Sequence, residues 1–436
     1  MKKLTDLATP FASIAETSVL PGHDLLWLQN LRQQALSQFS AAGLPAKKEE
    51  DWKYSSLWSL SQQAFTHDVA SYAIDADQTD ALALLKDAYR LVIVDGEYVA
   101  SLSQLDDLPL GLTISPFSSA LDSVEQQLGQ QVALDKAGLT ALNTLLMKEG
   151  VIVHVAADTI IEKPIELLVI NSGTTENLAT HLRNMIVLDA NAQATVIEHY
   201  VGVTDSINFT NVVSEVVLAE QAELFHYKLQ QESEQAFHIA TLAAKQAAGS
   251  QWHTQNITLG AKLSRNDVHS RLEGELSHTT MDGLYLLNNE QHADTHTRID
   301  HFVPNTTSNE LYKGVLDDGC HGVFNGKVIV HKDAQKTDSN QYNHNLLLSR
   351  ECEIDTKPEM EIYADDVKCG HGSTVGQLDM NQLFFLRARG LTEVNARSLL
   401  THAFAAEVLQ RIPSEAIRQA FSAVIEQRLP RGESNS

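Results

Sequence analysis

Hydrophobic positions recur along this chain at two spacings, and the changes between them divide it into three parts. Between 21 and 43, Leu28, Leu31, Ala35 and Phe39 stand three or four residues apart. That is the spacing of one helix face, and Gly43 is placed to end the helix. Residues 137–148 read the same way. Between these two, short helical and strand-like pieces alternate. The run RLVIVDGEYV at 90–99 reads as a hairpin turning at Asp95-Gly96. From Gly150 the spacing falls to two, and Val and Ile dominate GVIVHVAADTIIEKPIELLVI, RNMIVLDANAQATVIEHYVG and NFTNVVSEVVLAEQAELFHYKL. These predict strands. The turn-like stretches DANAQA, AEQAEL and AAGSQW begin at Asp189, Ala219 and Ala247 and resemble one another. A repeat of about 30 residues is the size of one turn in a coiled stack of strands. Such a unit buries its face against its neighbour, as in a β-solenoid; a two-sheet sandwich fits the spacing equally well.

The strand pattern runs on into EMEIYADDVKCGHGSTVGQLD at 359–379. Met360, Ile362 and Ala364 alternate with polar neighbours, and Asp365-Asp366 reads as a turn or bulge. Beyond it Val367, Cys369 and His371 share a face if the backbone is extended, because side chains two apart point the same way. Gly370, Gly372 and Gly376 admit a close backbone or a positive φ. The spacing then turns helical. Asp379 is placed to cap a helix reaching Arg389, with Gly390 as its stop, and Thr392 to cap the next. Ala396, Leu399, Leu400, Ala403, Phe404, Val408 and Ile412 form one apolar stripe. Pro413-Ser414 interrupts it, and Ile417, Phe421, Val424 and Ile425 make another, ended by Pro430. The tail RGESNS reads as disordered. The organisation predicted is therefore a mostly helical α/β part at 1–149, a strand-rich core at 150–378 and a helical part at 379–436.

Composition narrows the function. With 436 residues, 43% hydrophobic and 20% charged, the chain is long enough for a real core. A net charge of −24 argues against nucleic-acid binding, which needs clustered Lys and Arg. It serves solubility, or an acidic face for a basic partner. No apolar run is long enough to span a membrane. MKKLTDLATPF lacks the apolar stretch of a signal peptide, and Cys320, Cys352 and Cys369 are too few and too far apart for a disulfide framework or a CxxC zinc pattern. Reduced thiols in a cytoplasmic protein are the expectation.

The histidines carry the remaining chemistry. In QHADTHTRIDH, His292 and His296 share a strand face while His301 takes the other, so the three do not converge on a metal. GVLDDGCHGVFNGKVIV, around Cys320 and His321, reads as strand–turn–strand with Asn325-Gly326 as the tight turn, and Cys320 as a small buried residue. Asp317-Asp318 and Asp365-Asp366 raise a polysaccharide-active β-helix enzyme as an alternative. Adjacent strand residues face opposite ways, however, which is wrong for paired catalytic carboxylates. No GxxxxGK[ST] is present, so any ATP hydrolysis must come from a partner.

Four segments resemble the SufB–SufD family, the scaffold subunits of the SufB–SufC–SufD iron–sulfur assembly. They are GLPAKKEEDWKYSSL at 43–57, GVLDDGCHGVFNGKVIV, EIYADDVKCGHGSTVG with LFFLRARGL, and LRARGLTEVNARSLLTHAFAAEVL. SufB-like chains carry an N-terminal CxxC-type cluster motif; no cysteine precedes Cys320 here, which points to the SufD branch. The resemblance implies a mainly β fold, with a right-handed parallel β-helix core between an N-terminal mostly helical α/β domain and a C-terminal helical domain. It implies a non-catalytic scaffold subunit that pairs with a SufB-like subunit and a SufC-like ATPase. His371 is then the iron or cluster ligand at the subunit interface, facing a cysteine of the SufB-like subunit. Cys369 stands second, as ligand or polysulfide carrier. The structural alternative is a buried small residue beside a hydrogen-bonded histidine. Arg387, Arg389, Leu391, Arg397, Leu400 and Phe404 fall in the segment that docks the ATPase. The resemblance further implies a transient iron–sulfur cluster shared with the partner, none held stably by the isolated chain, and reduced FAD in the complex. An isolated chain is expected to form a homodimer through sheet edges at 322–330 and 372–378.

Overall fold

The structure, a computed structural model, describes residues 19–69, 74–134 and 137–429. The segment MKKLTDLATPF, Pro430 and the tail RGESNS lie outside the described residues.

Among the described residues the strand pattern resolves into nineteen strands in two sheets. β1 (Tyr89–Val94) and β2 (Glu97–Tyr98) form the hairpin at Asp95-Gly96, and β3 (Leu112–Pro116) runs antiparallel to β4 (Val151–Val155). Next come β5 (Ile165–Asn171), β6 (Leu178–Leu188), β7 (Gln193–Gly202), β8 (Asn208–Leu218), β9 (Glu223–Gln231), β10 (Phe237–Gln246) and β11 (Gln251–Thr258). They are followed by β12 (Leu263–Leu272), β13 (His278–Leu287), β14 (His292–His301), β15 (Thr307–Leu316), β16 (His321–Val330), β17 (Asp338–Leu347), β18 (Glu353–Ile362) and β19 (Lys368–Gly376). From β6 to β17, each strand pairs in parallel with the strands two before and two after it, so consecutive strands alternate between a nine-stranded and a ten-stranded sheet. That pairing makes the fold a parallel β-solenoid of about eight turns and removes the sandwich from consideration.

The three similar turns found in the sequence stack at one corner. Asn191, Gln221 and Gly249 take φ of 59°, 58° and 66° there. Each backbone N–H donates to the next turn, to the carbonyls of Glu220, Ala248 and Glu275. A left-handed conformation costs a non-glycine residue about 1–2 kcal/mol, which the ladder of corner hydrogen bonds offsets. The opposite outcome holds for Asn325-Gly326. It is not a turn but the middle of β16, whose corner is instead Asp317–Cys320. A Cβ on Gly326 would come within 2.4 Å of the Gln341 amide, so this glycine makes room across the interior.

Between the sheets lies one apolar core, from Leu91 through Trp252 and Phe324 to Ala364. It is interrupted by a polar layer in the middle turns. Lys228 donates to Asn266 at 2.7 Å, His226 meets Glu198 at 3.1 Å and His238 meets Glu232 at 2.7 Å. Burial brings Lys228 down to about 8, against the pull of Glu198 and Glu232. Every charge there has a partner, the condition for tolerating it in a dry interior.

Helices cover the outer faces. Among the described residues they are α1 (Leu26–Ala42), α2 (Trp58–Ser61), α3 (Ala76–Leu82), α4 (Gly138–Leu146), α5 (Met380–Arg387), α6 (Glu393–Leu409) and α7 (Glu415–Arg428). α6 and α7 pack on the outer face of the ten-stranded sheet, with Gln255 donating to the Val408 carbonyl and Phe421 edge-on to Tyr227. The single stripe expected on α6 splits. Ala396, Val408 and Ile412 are buried, whereas Leu399 is half exposed and Ala403 exposed. The segment 43–57 lies on the outer face of the nine-stranded sheet, where Ser55 bonds both His292 and Asp294.

Candidate functional site at the open end of the solenoid

β18 and β19 are the last strands of the two sheets, and among the described residues no strand pairs with their outer edges. The expected edge at 322–330 is therefore misplaced. β16 is paired on both sides, by β14 and β18, because one more turn follows it. Pro358, mid-strand in β18, is compatible with an edge, where a missing N–H breaks no ladder beyond it.

Cys369 and His371 project from β19 on one face, as their spacing predicts. Cys369 is half-buried against the apolar core. Burial pushes its thiol up, beyond what the hydrogen bond from Ser339 restores, so it stays protonated at neutral pH. His371 is exposed, and its Nδ1 lies 3.0 Å from the carbonyl oxygen of Pro358 on the facing strand. A carbonyl only accepts, so Nδ1 carries the hydrogen and the Nε2 lone pair of the neutral ring is free. Metal-binding histidines are commonly oriented this way. Gly370, Gly372 and Gly376 do not use positive φ. A Cβ on Gly370 or Gly372 would make only ordinary contact, with Asn340 at 3.6 Å or Tyr342 at 3.5 Å, and one on Gly376 would stand in open space, so none of the three relieves a clash.

His371 also ends an inward column. It is the register partner of Gln341, itself the register partner of Glu310. The Gln341 amide donates to Glu310 at 2.7 Å. Burial lifts Glu310 to about 7, moderated by bonds from Thr297 and Gln341.

The second candidate surface lies on the C-terminal helices. Arg387 pairs with Glu393 at 3.3 Å, Arg389 stacks over Phe385, Leu391 is half-buried and Leu400 lines a groove of about 490 Å³ between α5 and α6. Arg397 and Phe404 face the other way. Arg397 reaches the Leu348 carbonyl, and Phe404 lies 4.1 Å from the Lys313 ammonium, so both tie α6 to the β-core. The large exposed apolar residues here are Met380, Phe384, Phe385, Val394 and Leu399. The run LFFL was visible in the sequence, but helical spacing did not reveal which side would stay uncovered. The acidic pairs Asp317-Asp318 and Asp365-Asp366 sit in corner turns, with Asp366 tied to Lys336.

Comparison with known proteins agrees with this architecture. Residues 169–404 match the family model of the SUF system FeS cluster assembly SufBD core domain, and residues 10–167 that of the SufBD protein N-terminal region. An iron–sulfur cluster assembly SufBD family protein of Synechocystis is 34% identical over 94% of this chain and 93% of its own length. The iron–sulfur cluster assembly protein SufD of Escherichia coli is 35% identical over 92% and 93%. SufD of Bacillus subtilis is 26% identical over 92% and 94%. The chain belongs to the SufBD family of iron–sulfur cluster assembly proteins. Within that family it is of the SufD type. A polysaccharide-active enzyme is thereby set aside, and no helix among the described residues is long and apolar enough to cross a membrane.

Proposed function

We propose that this chain is a non-catalytic scaffold subunit whose open solenoid end joins a SufB-like subunit, and that a nascent cluster is held across that junction with His371 as a ligand. The observation that carries this is the exposed His371 ring, fixed through Nδ1 by the Pro358 carbonyl, which leaves Nε2 as its ligand atom. Two sheets ending in unpaired strands favour a partner that continues them, and the open space over Gly376 admits one. Imidazole among thiolates is a competent ligand that changes cluster charge and potential. Cys369 takes the lesser role, because its thiol must first lose a proton that burial retains. The groove between α5 and α6, lined in part by the exposed Phe385 and Leu399, receives the SufC-like ATPase. In isolation the same strand edges pair two copies of the chain into a homodimer. We place this assembly in the cytoplasm, where its thiols stay reduced.

No site for a reduced flavin is assigned among the described residues. The cleft of about 580 Å³ between the segment 43–57 and the nine-stranded sheet has its cations already paired. Arg265 meets Asp267 and Asp294, Arg298 meets Asp300, Lys327 meets Glu361, and Lys357 meets Glu50 and Glu359. These residues do not fit the diphosphate of FAD.

The test is anaerobic reconstitution with iron and sulfide, read by cluster absorption after gel filtration. The isolated chain should be colourless and without ATPase activity, and its complex with SufB-like and SufC-like subunits coloured. A brown isolated chain, or no complex at all, overturns the proposal.

A further inference from the structure

His321 opens β16, and Glu353, its register partner, opens β18. Asp355 lies two residues further on, and so on the same outer face of the nine-stranded sheet. The His321 Nε2 stands 2.9 Å from an Asp355 carboxylate oxygen. One ligand atom from each of the three residues lies within 4.8 Å of the others, the one such convergence of His, Cys, Asp and Glu among the described residues. We propose that His321, Glu353 and Asp355 bind a divalent first-row transition-metal ion, with water completing its shell.

The geometry is close to a coordination sphere already. Around an ion with ligands at about 2.1 Å, neighbouring ligands stand about 3 Å apart and opposed ones about 4.2 Å. The 2.9 Å contact fits the first, and the 4.8 Å limit exceeds the second by little. Glu353 is exposed and closes that gap by a change of rotamer. His321 and Asp355 are each about a quarter exposed, so ion and water have a path in. One imidazole with two carboxylates suits Mn(II), Fe(II) and Zn(II) better than Mg(II), which takes oxygen ligands and holds its water.

The His292 ring packs edge-on to His321 at 4.8 Å, and its Nε2 is bonded to Ser55. Cys320 and Cys352 directly precede two of the ligands in sequence but join no metal group. Their sulfurs lie 3.9 Å apart, packed with the solenoid core. The site does not rest on the role given to His371, which belongs to the opposite sheet.

The competing account is that His321 and Asp355 form only an ion pair stapling β16 to β18. Binding of Mn(II), followed by loss of the free-ion EPR signal, and of Zn(II), by competition with a chromophoric chelator, separates the two. Both are measured on the full chain carrying Cys369→Ser and His371→Ala, so that the open end contributes nothing. We expect one ion per chain, retained against a large excess of Mg(II). Glu353→Gln, which leaves the His321–Asp355 pair intact, should weaken binding by about tenfold or more, and His321→Ala should abolish it. Unchanged affinity in both folded variants overturns the proposal, as does no binding of either ion at about 1 mM.

Discussion

The guanidinium of Arg265, in mid-solenoid, lies 4.1 Å over the indole ring of Trp52, in the segment 43–57. Beneath the ring Arg265 bonds Asp267, Asp294 and the Asp51 carbonyl. Burial works against the Asp294 charge, yet Arg265 outweighs it and holds the carboxyl well below the usual range. A carboxyl depressed in the folded state stabilises it above the unfolded pKa, near 4, and loses that contribution as pH falls toward the folded value. Arg265→Ala should therefore cost about 3–5 kcal/mol near pH 7, because it strands a buried carboxylate. Trp52→Ala should cost about as much by leaving a cavity. In each case the deficit of Arg265→Ala should shrink below pH 3 while that of Trp52→Ala persists. Denaturant titrations at several pH values check both; a pH-independent loss for Arg265→Ala would show that the pair is not the source.

At the open end, His371→Ala should abolish cluster retention in the complex while the subunits still associate. Cys369→Ser should reduce it by less. Alkylation of Cys369 in the isolated chain at pH 7.5 should run slower than that of free cysteine, since burial raises its pKa. Wild-type cluster yield in His371→Ala would make the histidine structural.

Glu310 is an acid raised to about 7, chiefly by burial. Between the unfolded value, near 4.5, and 7 the folded chain holds a proton that the unfolded chain releases, so this group's contribution falls as pH rises through that window. Glu310→Gln keeps an acceptor for Gln341 without the charge. It should raise stability by about 1–3 kcal/mol at pH 8 and have little effect at pH 4. Thermal unfolding of the two chains at both pH values decides it.

The helical surface divides into a docking side and an anchoring side. Phe385→Asp and Leu399→Asp should abolish ATPase pull-down with the melting temperature nearly unchanged, since both residues are half exposed. Phe404→Ala should lower stability by about 2–4 kcal/mol, having lost its packing under Lys313. Pull-down that survives both aspartates would remove the groove from the interface.

For the isolated chain, light scattering at micromolar concentration should report a dimer. Val375→Lys places a charge on the last, half-exposed turn and should shift it toward monomer. A wild-type monomer would count against edge pairing.

What the sequence determined by itself is what neighbouring residues decide among themselves. Gly43 ends α1 with φ of 67°, Asp95-Gly96 turns the hairpin, and Asp379 and Thr392 cap α5 and α6, because each element needs only a few adjacent backbone groups. The repeated turns were legible for the same reason, although their stacking was not. Cys369 and His371 could be placed on one face by strand period alone. Tertiary structure decided whatever depends on the next turn. Asn325-Gly326, a strong local turn signal, is held straight by β14 and β18 on either side and kept small by Gln341 across the interior. The α6 stripe divides because one part meets the β-sheet and the rest lines the open groove beside α5. The Pro358 carbonyl that orients His371 comes from the other sheet, and Glu353 reaches His321 only because one turn of solenoid lies between them. Local sequence specifies a strand's period and faces; which strand becomes its neighbour is chosen by the closure of each coil, and the candidate sites are made of such neighbours.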